Sequence, residues 1–140
     1  METYADTGLV RFEYHHFAIL GNESQRAAEA SECALEQDAF WPYHDVIFAN
    51  QRGENMGAFS EGNLLSFAEA LELDTAAFES CLDSDRYAAE VRADSASGQE
   101  RGVSSTPTLF INGEMVQGAI PFDQLQARVE AALAEAGAGR

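Results

Sequence analysis

The chain is long enough for a single domain with an ordinary hydrophobic core, because 46% of its 140 residues are hydrophobic. No apolar run approaches the ~18 residues that a membrane-spanning helix needs. The net charge is −16, from 24 acidic and eight basic residues, and all eight basic residues are arginine. Such a surface repels nucleic-acid phosphates and anionic lipid, which argues against both as partners.

The N-terminal residues predict the end of a helix followed by a strand. Residues 1–6 have neither a basic nor an apolar segment, so they predict no signal peptide. Gly8 is typical of the residue after a helix, and residues 1–7 are therefore interpreted as the last part of one. Residues 9–16 alternate between apolar and polar side chains, which predicts a strand with one buried face.

Helical patterns follow from residue 22 to about residue 102. Asn22 and Gln25 fit a capping box that opens the first helix. The second helix, over residues 39–50, carries apolar side chains on more than one face. This pattern predicts burial on several sides, with Phe40 and Trp41 in the core.

Three more helices complete this region. Ser60 and Asp74 are predicted to cap the third and fourth helices, because both residue types accept hydrogen bonds from the amides of a first helical turn. A polar fifth helix is predicted to begin at Ser84 or Asp85 and to fade towards Gly102.

A hairpin and a final helix end the chain. An apolar run opens on Thr106-Pro107 and closes on Asn112-Gly113, a pair that strongly favours a tight hairpin turn. Proline cannot donate to a sheet, so Pro107 fits the first position of a strand, and X-Pro bonds are the ones that adopt the cis form. Pro121 fits the first turn of the last helix. The predicted order is one strand, five helices, two strands and one helix, which is an α/β chain.

Together these segments resemble the DsbA-like branch of the thioredoxin-fold thiol:disulfide oxidoreductases. The resemblance covers the chain from about Gly8 to the last helix. It implies one thioredoxin-like domain over residues 1–140, with a helical insertion at about 22–102. The matching segments, in the family's order, are Val10-Arg11-Phe12-Glu13-Tyr14, Cys33-Ala34, Phe40-Trp41, Leu73-Asp74, Phe78-x-x-Cys81-Leu82, Gly102-Val103-Ser104-Ser105-Thr106-Pro107-Thr108 and Phe110-Ile111-Asn112-Gly113.

The family's redox centre is a Cys-x-x-Cys at the N-terminus of a helix, where the helix dipole stabilises a thiolate. This sequence contains no Cys-x-x-Cys. The family's first central strand and the start of its catalytic helix precede the segment that residues 1–7 match, so both are expected to be missing. We therefore predict an N-terminally truncated form, or one that has lost its redox centre, with no catalytic residue and no dithiol oxidase activity. The coding sequence before Met1 would separate these two possibilities.

The same resemblance implies that Thr106 and Pro107 bind an extended polypeptide substrate through backbone groups. The alternative is a non-catalytic peptide-binding module that uses the same groove. No cofactor is implied. Many full-length relatives are extracytoplasmic or periplasmic, whereas the location of this chain is left open.

Cys33 and Cys81 lie in two different predicted helices. In some DsbA-like proteins, cysteines at the matching places form a second disulfide within the helical insertion, so the resemblance implies a structural disulfide. Unpaired buried thiols and a redox-active pair are the alternatives. A persistent disulfide would indicate an oxidising compartment for the parent protein.

No metal site is predicted from the three histidines. His15 and His16 are neighbours on a predicted strand, so their side chains point to opposite faces and cannot bind one ion together. His44, which precedes Asp45, is interpreted as a hydrogen-bonded partner of that carboxylate.

The missing central strand predicts a cost in stability. In the thioredoxin fold it lies between the strands that match residues 9–16 and 108–111, and each buried backbone group without a partner costs about 1–3 kcal/mol. We therefore expect the isolated chain to be unstable, to rearrange its sheet, or to borrow a strand in a strand-exchanged homodimer.

Overall fold

The computed structural model describes residues 4–138, which form six helices and one two-stranded sheet. Residues 15–97 form a compact helical unit, and residues 4–14 with 98–138 form a second unit that contains the hairpin. No helix in the described part of the chain is long and apolar enough to cross a membrane. The elements are α1 (Asn22–Leu35), α2 (Phe40–Ala49), α3 (Glu61–Ala70), α4 (Thr75–Asp83), α5 (Ala88–Glu100), β1 (Thr108–Ile111), β2 (Glu114–Gln117) and α6 (Phe122–Ala138).

The predicted caps of α3 and α4 are confirmed. Ser60 Oγ accepts a hydrogen bond from the Asn63 amide at 3.4 Å, and Asp74 Oδ1 accepts one from the Ala77 amide at 3.0 Å. In each case the cap satisfies an amide of the first turn, which has no partner within the helix.

The capping box predicted for α1 is wrong. Asn22 is the first helical residue, and it follows Gly21, which has no side chain to cap the helix. Asn55 replaces that cap: its Oδ1 accepts from the Glu23 amide at 3.3 Å, and its Nδ2 donates to the Leu20 carbonyl at 2.7 Å. A Cβ on Gly21 would lie 2.3 Å from Asn55 Nδ2, and Gly21 has a φ of 102°, so this close approach requires glycine.

Glu23 holds the loop between α2 and α3 against the start of α1. Its Oε1 accepts from the Gly57 amide at 2.7 Å and its Oε2 accepts from the Phe59 amide at 3.1 Å. Residues 51–57 of this loop, including Arg52, are exposed. The loop is therefore tethered at its end while its tip stays in solvent.

The core of the helical unit is formed by α1, α2, α3 and α4. The Tyr43 and Phe78 rings pack with their centroids 5.3 Å apart. The Tyr43 hydroxyl donates to the Leu64 carbonyl at 2.8 Å, so the one polar atom of this buried side chain is satisfied. The largest fully buried side chains are Tyr43, Phe78, Leu64, Val91, Cys33 and Cys81.

Burial of α2 on several sides is only partly observed. Phe40, Tyr43 and Ile47 share one stripe and are buried, whereas Trp41 is 36% exposed and Phe48 is 53% exposed. Trp41 and Phe48 are seven residues apart, on a second stripe of the same helix. The prediction that Trp41 is a core residue is therefore wrong, because an apolar pattern does not tell which stripe the neighbouring helices cover.

The starts of α5 and α6 differ in how closely they match the predicted positions. α5 begins at Ala88 and not at Ser84 or Asp85, because Asp85 has a φ of 51°, which is incompatible with a continuing right-handed helix. α6 begins at Phe122, directly after Pro121, close to the predicted position.

The predicted hairpin is confirmed. β1 and β2 pair antiparallel, in a register that places Thr108 opposite Gln117 and ends with Ile111 opposite Glu114. The two turn residues, Asn112-Gly113, have φ values of 48° and 92°. Positive φ at both central residues is what a two-residue turn matching the strand twist requires.

Gly8 ends a helical turn, as its position predicts. Its amide donates to the Ala5 carbonyl at 3.0 Å, the Leu9 amide donates to the Tyr4 carbonyl at 3.0 Å, and Gly8 has a φ of 76°. This pair of hydrogen bonds is the Schellman motif that closes helices. Residues 1–3 of the predicted helix lie outside the described residues.

The predicted strand over residues 9–16 is wrong. Within the described chain, the sheet consists of β1 and β2 alone, and Phe12 is 45% exposed. Alternation of apolar residues predicts a buried face, but it supplies no hydrogen-bonding partner for the backbone. In the helical unit, side chains of α5 fill that role: the His16 amide donates to Asp94 at 2.9 Å and the Ala18 amide donates to Ser95 Oγ at 3.0 Å.

Candidate substrate-binding segment

The end of α5 directs the chain into an exposed segment. The Gly102 amide donates to the Gln99 carbonyl at 3.0 Å, and the Val103 amide donates to the Gly98 carbonyl at 2.9 Å. This is a second Schellman motif, and it needs the φ of 85° that Gly102 adopts. The helix therefore stops at a fixed residue, and the chain leaves it in a defined direction.

Residues 104–107 form the exposed segment itself. Ser104, Ser105, Thr106 and Pro107 are all exposed, and the Thr106–Pro107 peptide bond is cis. No hydrogen bond from another residue between 4 and 138 reaches the Thr106 main chain. The segment thus presents small side chains and an accessible backbone to solvent.

The hairpin fixes the far end of this segment. Thr108 Oγ1 donates to the Ser105 carbonyl at 2.7 Å, and the Gly118 amide donates to the Pro107 carbonyl at 2.8 Å. The second bond adds one pair beyond Thr108, so Pro107 lies directly before the first residue of β1, one position earlier than its sequence context predicts.

A residue that the sequence patterns do not single out lies beside this segment. The Arg101 guanidinium carbon is 3.7 Å from the centroid of the Phe110 ring. The two residues are nine positions apart and belong to no common periodic pattern. A cation on an aromatic face is a contact between separate elements, and only the folded hairpin brings it together.

The two cysteines lie in the helical unit and are joined to each other. Cys33 of α1 and Cys81 of α4 form a disulfide with their Cα atoms 5.8 Å apart. Both residues are 1% exposed. This is the pairing that the family resemblance implies, and the sequence contains no other cysteine. The chain therefore offers no free thiol.

The structure gives the three histidines three different carboxylate neighbours. His15 Nδ1 lies 3.2 Å from Asp94 Oδ1, and His16 Nε2 lies 2.6 Å from Glu32 Oε1. His44 Nδ1 lies 2.9 Å from the carboxylate of Asp45, the next residue along α2. Between residues 4 and 138 no group of three histidine, cysteine, aspartate or glutamate side chains is placed to hold a metal ion.

Comparison with known proteins relates almost the whole chain to one family. A family model described as thioredoxin matches residues 1–131. A thioredoxin-like oxidoreductase from Silicibacter pomeroyi DSS-3 has a similar structure, with a TM-score of 0.70 and 26% identity over 85% of this chain and 66% of that one. The predicted thioredoxin-like fold is therefore confirmed.

Two kinds of curated relative have similar sequences. Disulfide bond formation protein D of Bacillus subtilis is 26% identical over 91% of this chain and 59% of its own length. Na(+)/H(+) antiporter NhaA 3 of Salinispora tropica is 35% identical over 96% of this chain and 20% of its own length. The chain thus spans about a fifth of the antiporter and about three fifths of the disulfide bond formation protein.

Proposed function

Because the chain belongs to the DsbA-like branch of the thioredoxin-fold family, we propose that residues 104–107 bind extended polypeptides and that the 140 residues perform no thiol–disulfide exchange. The family match and the relatives named for disulfide bond formation support a general disulfide-related function. One observation carries the finer proposal. Both cysteines are buried in a disulfide of the helical unit, whereas Thr106 and Pro107 are exposed.

The absence of exchange activity follows from the chemistry of sulfur. Exchange requires a thiolate that attacks a disulfide sulfur, or an accessible disulfide that an external thiolate can attack. Cys33 and Cys81 are each 1% exposed, so an external thiolate does not reach either sulfur in the folded chain. Their disulfide is a structural link between α1 and α4, and no second pair of cysteines remains to exchange electrons.

Binding of an extended polypeptide follows from the accessible backbone. The Thr106 main chain has its N–H and C=O groups free of partners within the described chain, and the neighbouring serines are small. An extended peptide binds such a segment by main-chain hydrogen bonds, which supply affinity without demanding one sequence. The Schellman motif at Gly102 and the hairpin hold the segment from both ends, which lowers the entropy cost of binding.

Peptide binding by residues 104–107 is compatible with two functions of the chain. In the first, the segment serves an oxidoreductase whose redox residues lie in a longer protein, and the partial coverage of the disulfide bond formation relative favours it. In the second, the chain is a non-catalytic peptide-binding module. In both versions the buried disulfide supports a location in an oxidising compartment, outside the cytoplasm. A strand-exchanged homodimer stays a prediction for either version.

The decisive experiment measures redox activity and binding on the same purified chain. Insulin reduction and oxidation of a dithiol peptide are expected to proceed at the background rate. A dye-labelled, reduced and carboxymethylated polypeptide is expected to bind, and both Pro107→Ala and Thr106→Pro should weaken binding about tenfold by altering the backbone groups at the segment. Pro121→Ala, in the same unit but at the start of α6, is the matched control and should bind like the parent chain. Turnover above background, or equal binding by all four proteins, would contradict the proposal.

A further inference from the structure

Arg101 is an exposed cation at the edge of the proposed binding segment. Its guanidinium carbon lies 3.7 Å from the Phe110 ring centroid, a separation at which the negative ring face attracts the cation. Arg101 follows Glu100, the last residue of α5, and directly precedes Gly102, whose hydrogen bond closes the helix before the exposed residues. The aromatic contact therefore fixes a positive charge beside that segment.

This arginine differs from the arginines that carboxylates neutralise. Arg11, Arg26, Arg86 and Arg128 each contact at least one glutamate or aspartate. For Arg101, by contrast, no carboxylate within residues 4–138 lies at ion-pair distance, and its contact is the Phe110 ring. In a chain with a net charge of −16, a cation without a carboxylate partner is available to an external anion.

Stacking leaves the guanidinium able to bind. An arginine that rests on a ring face keeps its N–H donors in the guanidinium plane, at its edge, where they match the geometry of a carboxylate. Two parallel N–H···O bonds form there without displacing the ring. Phe110 thus holds the planar set of guanidinium N–H donors, the fork, in place. This contact reduces the side-chain entropy that Arg101 would otherwise lose on binding.

The hairpin places this fork within reach of a ligand bound at Thr106. Phe110 and Met115 are cross-strand partners on one face of the hairpin, and a Cβ on Gly102 would lie 3.7 Å from Met115 Cε. The Arg101-Gly102 pair therefore lies over that face. Phe110 is four residues beyond Thr106, about 13 Å along a strand. An extended ligand covers that distance with about four residues of its own.

We propose that Arg101, held on the Phe110 ring, binds a carboxylate side chain of the extended polypeptide about four residues from the one that contacts Thr106. The inference rests on the proposed function of residues 104–107 and adds a preference for an aspartate or glutamate at one position. The net negative charge of the chain does not prevent this contact. At physiological ionic strength, salt screens the repulsion from exposed charges that lie more than about 8 Å away. The two hydrogen bonds from the Arg101 guanidinium act at short range, so they determine which peptides bind most tightly.

The test uses dye-labelled peptides of one neutral extended sequence, in which a single glutamate is moved through successive positions and compared with glutamine at the same position. With the full chain at physiological salt, glutamate at one position is expected to bind about tenfold more tightly than glutamine. Arg101→Gln should abolish that difference, and Arg101→Lys should restore only part of it, because an ammonium lacks the planar fork.

Arg128→Gln is the matched control, because it removes the same charge from α6 in the same unit. It should keep the glutamate preference. Equal binding of glutamate and glutamine peptides at every position, or equal loss of preference in the Arg101 and Arg128 variants, would overturn the inference while leaving peptide binding intact. Failure of every peptide to bind the parent chain would overturn the proposed function itself, and this inference with it.

Discussion

The disulfide between α1 and α4 should be a main contributor to the stability of the chain. Cys33 and Cys81 are 48 positions apart, and a link across a loop of that length removes conformational entropy from the unfolded chain. In the chain-entropy treatment the stabilisation is about 4 kcal/mol at 25 °C. That amount is a large share of the ~5–15 kcal/mol that stabilises a typical domain.

This stabilisation by the disulfide predicts that its loss lowers the melting temperature strongly. A chain of 140 residues has an unfolding entropy of about 0.3 kcal/mol/K near its midpoint. Loss of about 4 kcal/mol should therefore lower the midpoint by roughly 14 °C. Both sulfurs are buried, so part of any further loss in a variant would come from the packing of the removed atoms.

Circular dichroism melts of the parent chain and of the Cys33→Ala/Cys81→Ala variant measure this directly. Each protein is melted with and without dithiothreitol, after unfolding and refolding in the same buffer so that the buried disulfide is reached. Reductant should lower the midpoint of the parent chain to near that of the variant and should leave the variant unchanged. A parent midpoint that reductant moves by less than a few degrees would refute the reasoning, because the link would then constrain no unfolded conformations.

Two further predictions concern buried and strained positions. Burial raises the pKa of Tyr43, so unfolding above the ordinary tyrosine pKa of about 10 releases a proton, and stability should decrease as the pH rises past that value. Tyr43→Phe should lower the free energy of unfolding by about 1 kcal/mol at neutral pH, because it loses the hydrogen bond to the Leu64 carbonyl. Its stability should also decrease less than that of the parent chain at alkaline pH. Urea titrations at several pH values measure both effects, and the same dependence of stability on pH in the two proteins would contradict the prediction. Gly21→Ala should cost about 1–3 kcal/mol, since alanine is strained at a φ of 102° and its Cβ would collide with Asn55. The control Gly62→Ala, in an open helical position, should be neutral or stabilising in the same titration.

The features that could be predicted from the sequence are those that local chemistry determines. Ser60 and Asp74 cap their helices because each bonds an amide three residues later. Asn112-Gly113 forms the turn because both residues tolerate positive φ. The position of Thr106-Pro107 before a strand follows from the same local logic. These interactions span a few residues and are therefore readable from short patterns.

The features that could not be predicted depend on distant partners. The cap of α1 comes from Asn55, 32 positions after Glu23, and no capping pattern covers that separation. The alternation in residues 9–16 predicts a strand without specifying what would pair with it. The contact between Arg101 and Phe110 likewise depends on how the end of α5 meets the hairpin. This contact in the candidate site could therefore not be predicted from the sequence, because it forms only in the tertiary structure.

The position of the disulfide also determines what a protease can do to the chain. The link encloses α2, α3 and the exposed loop that contains Arg52, which is an accessible cleavage site for a protease that cuts after arginine. A cut there would break the backbone but release no fragment, because Cys33 and Cys81 lie on opposite sides of it. The two pieces would separate only after reduction. The disulfide therefore keeps the two parts of the helical unit covalently joined after a cut in this exposed loop.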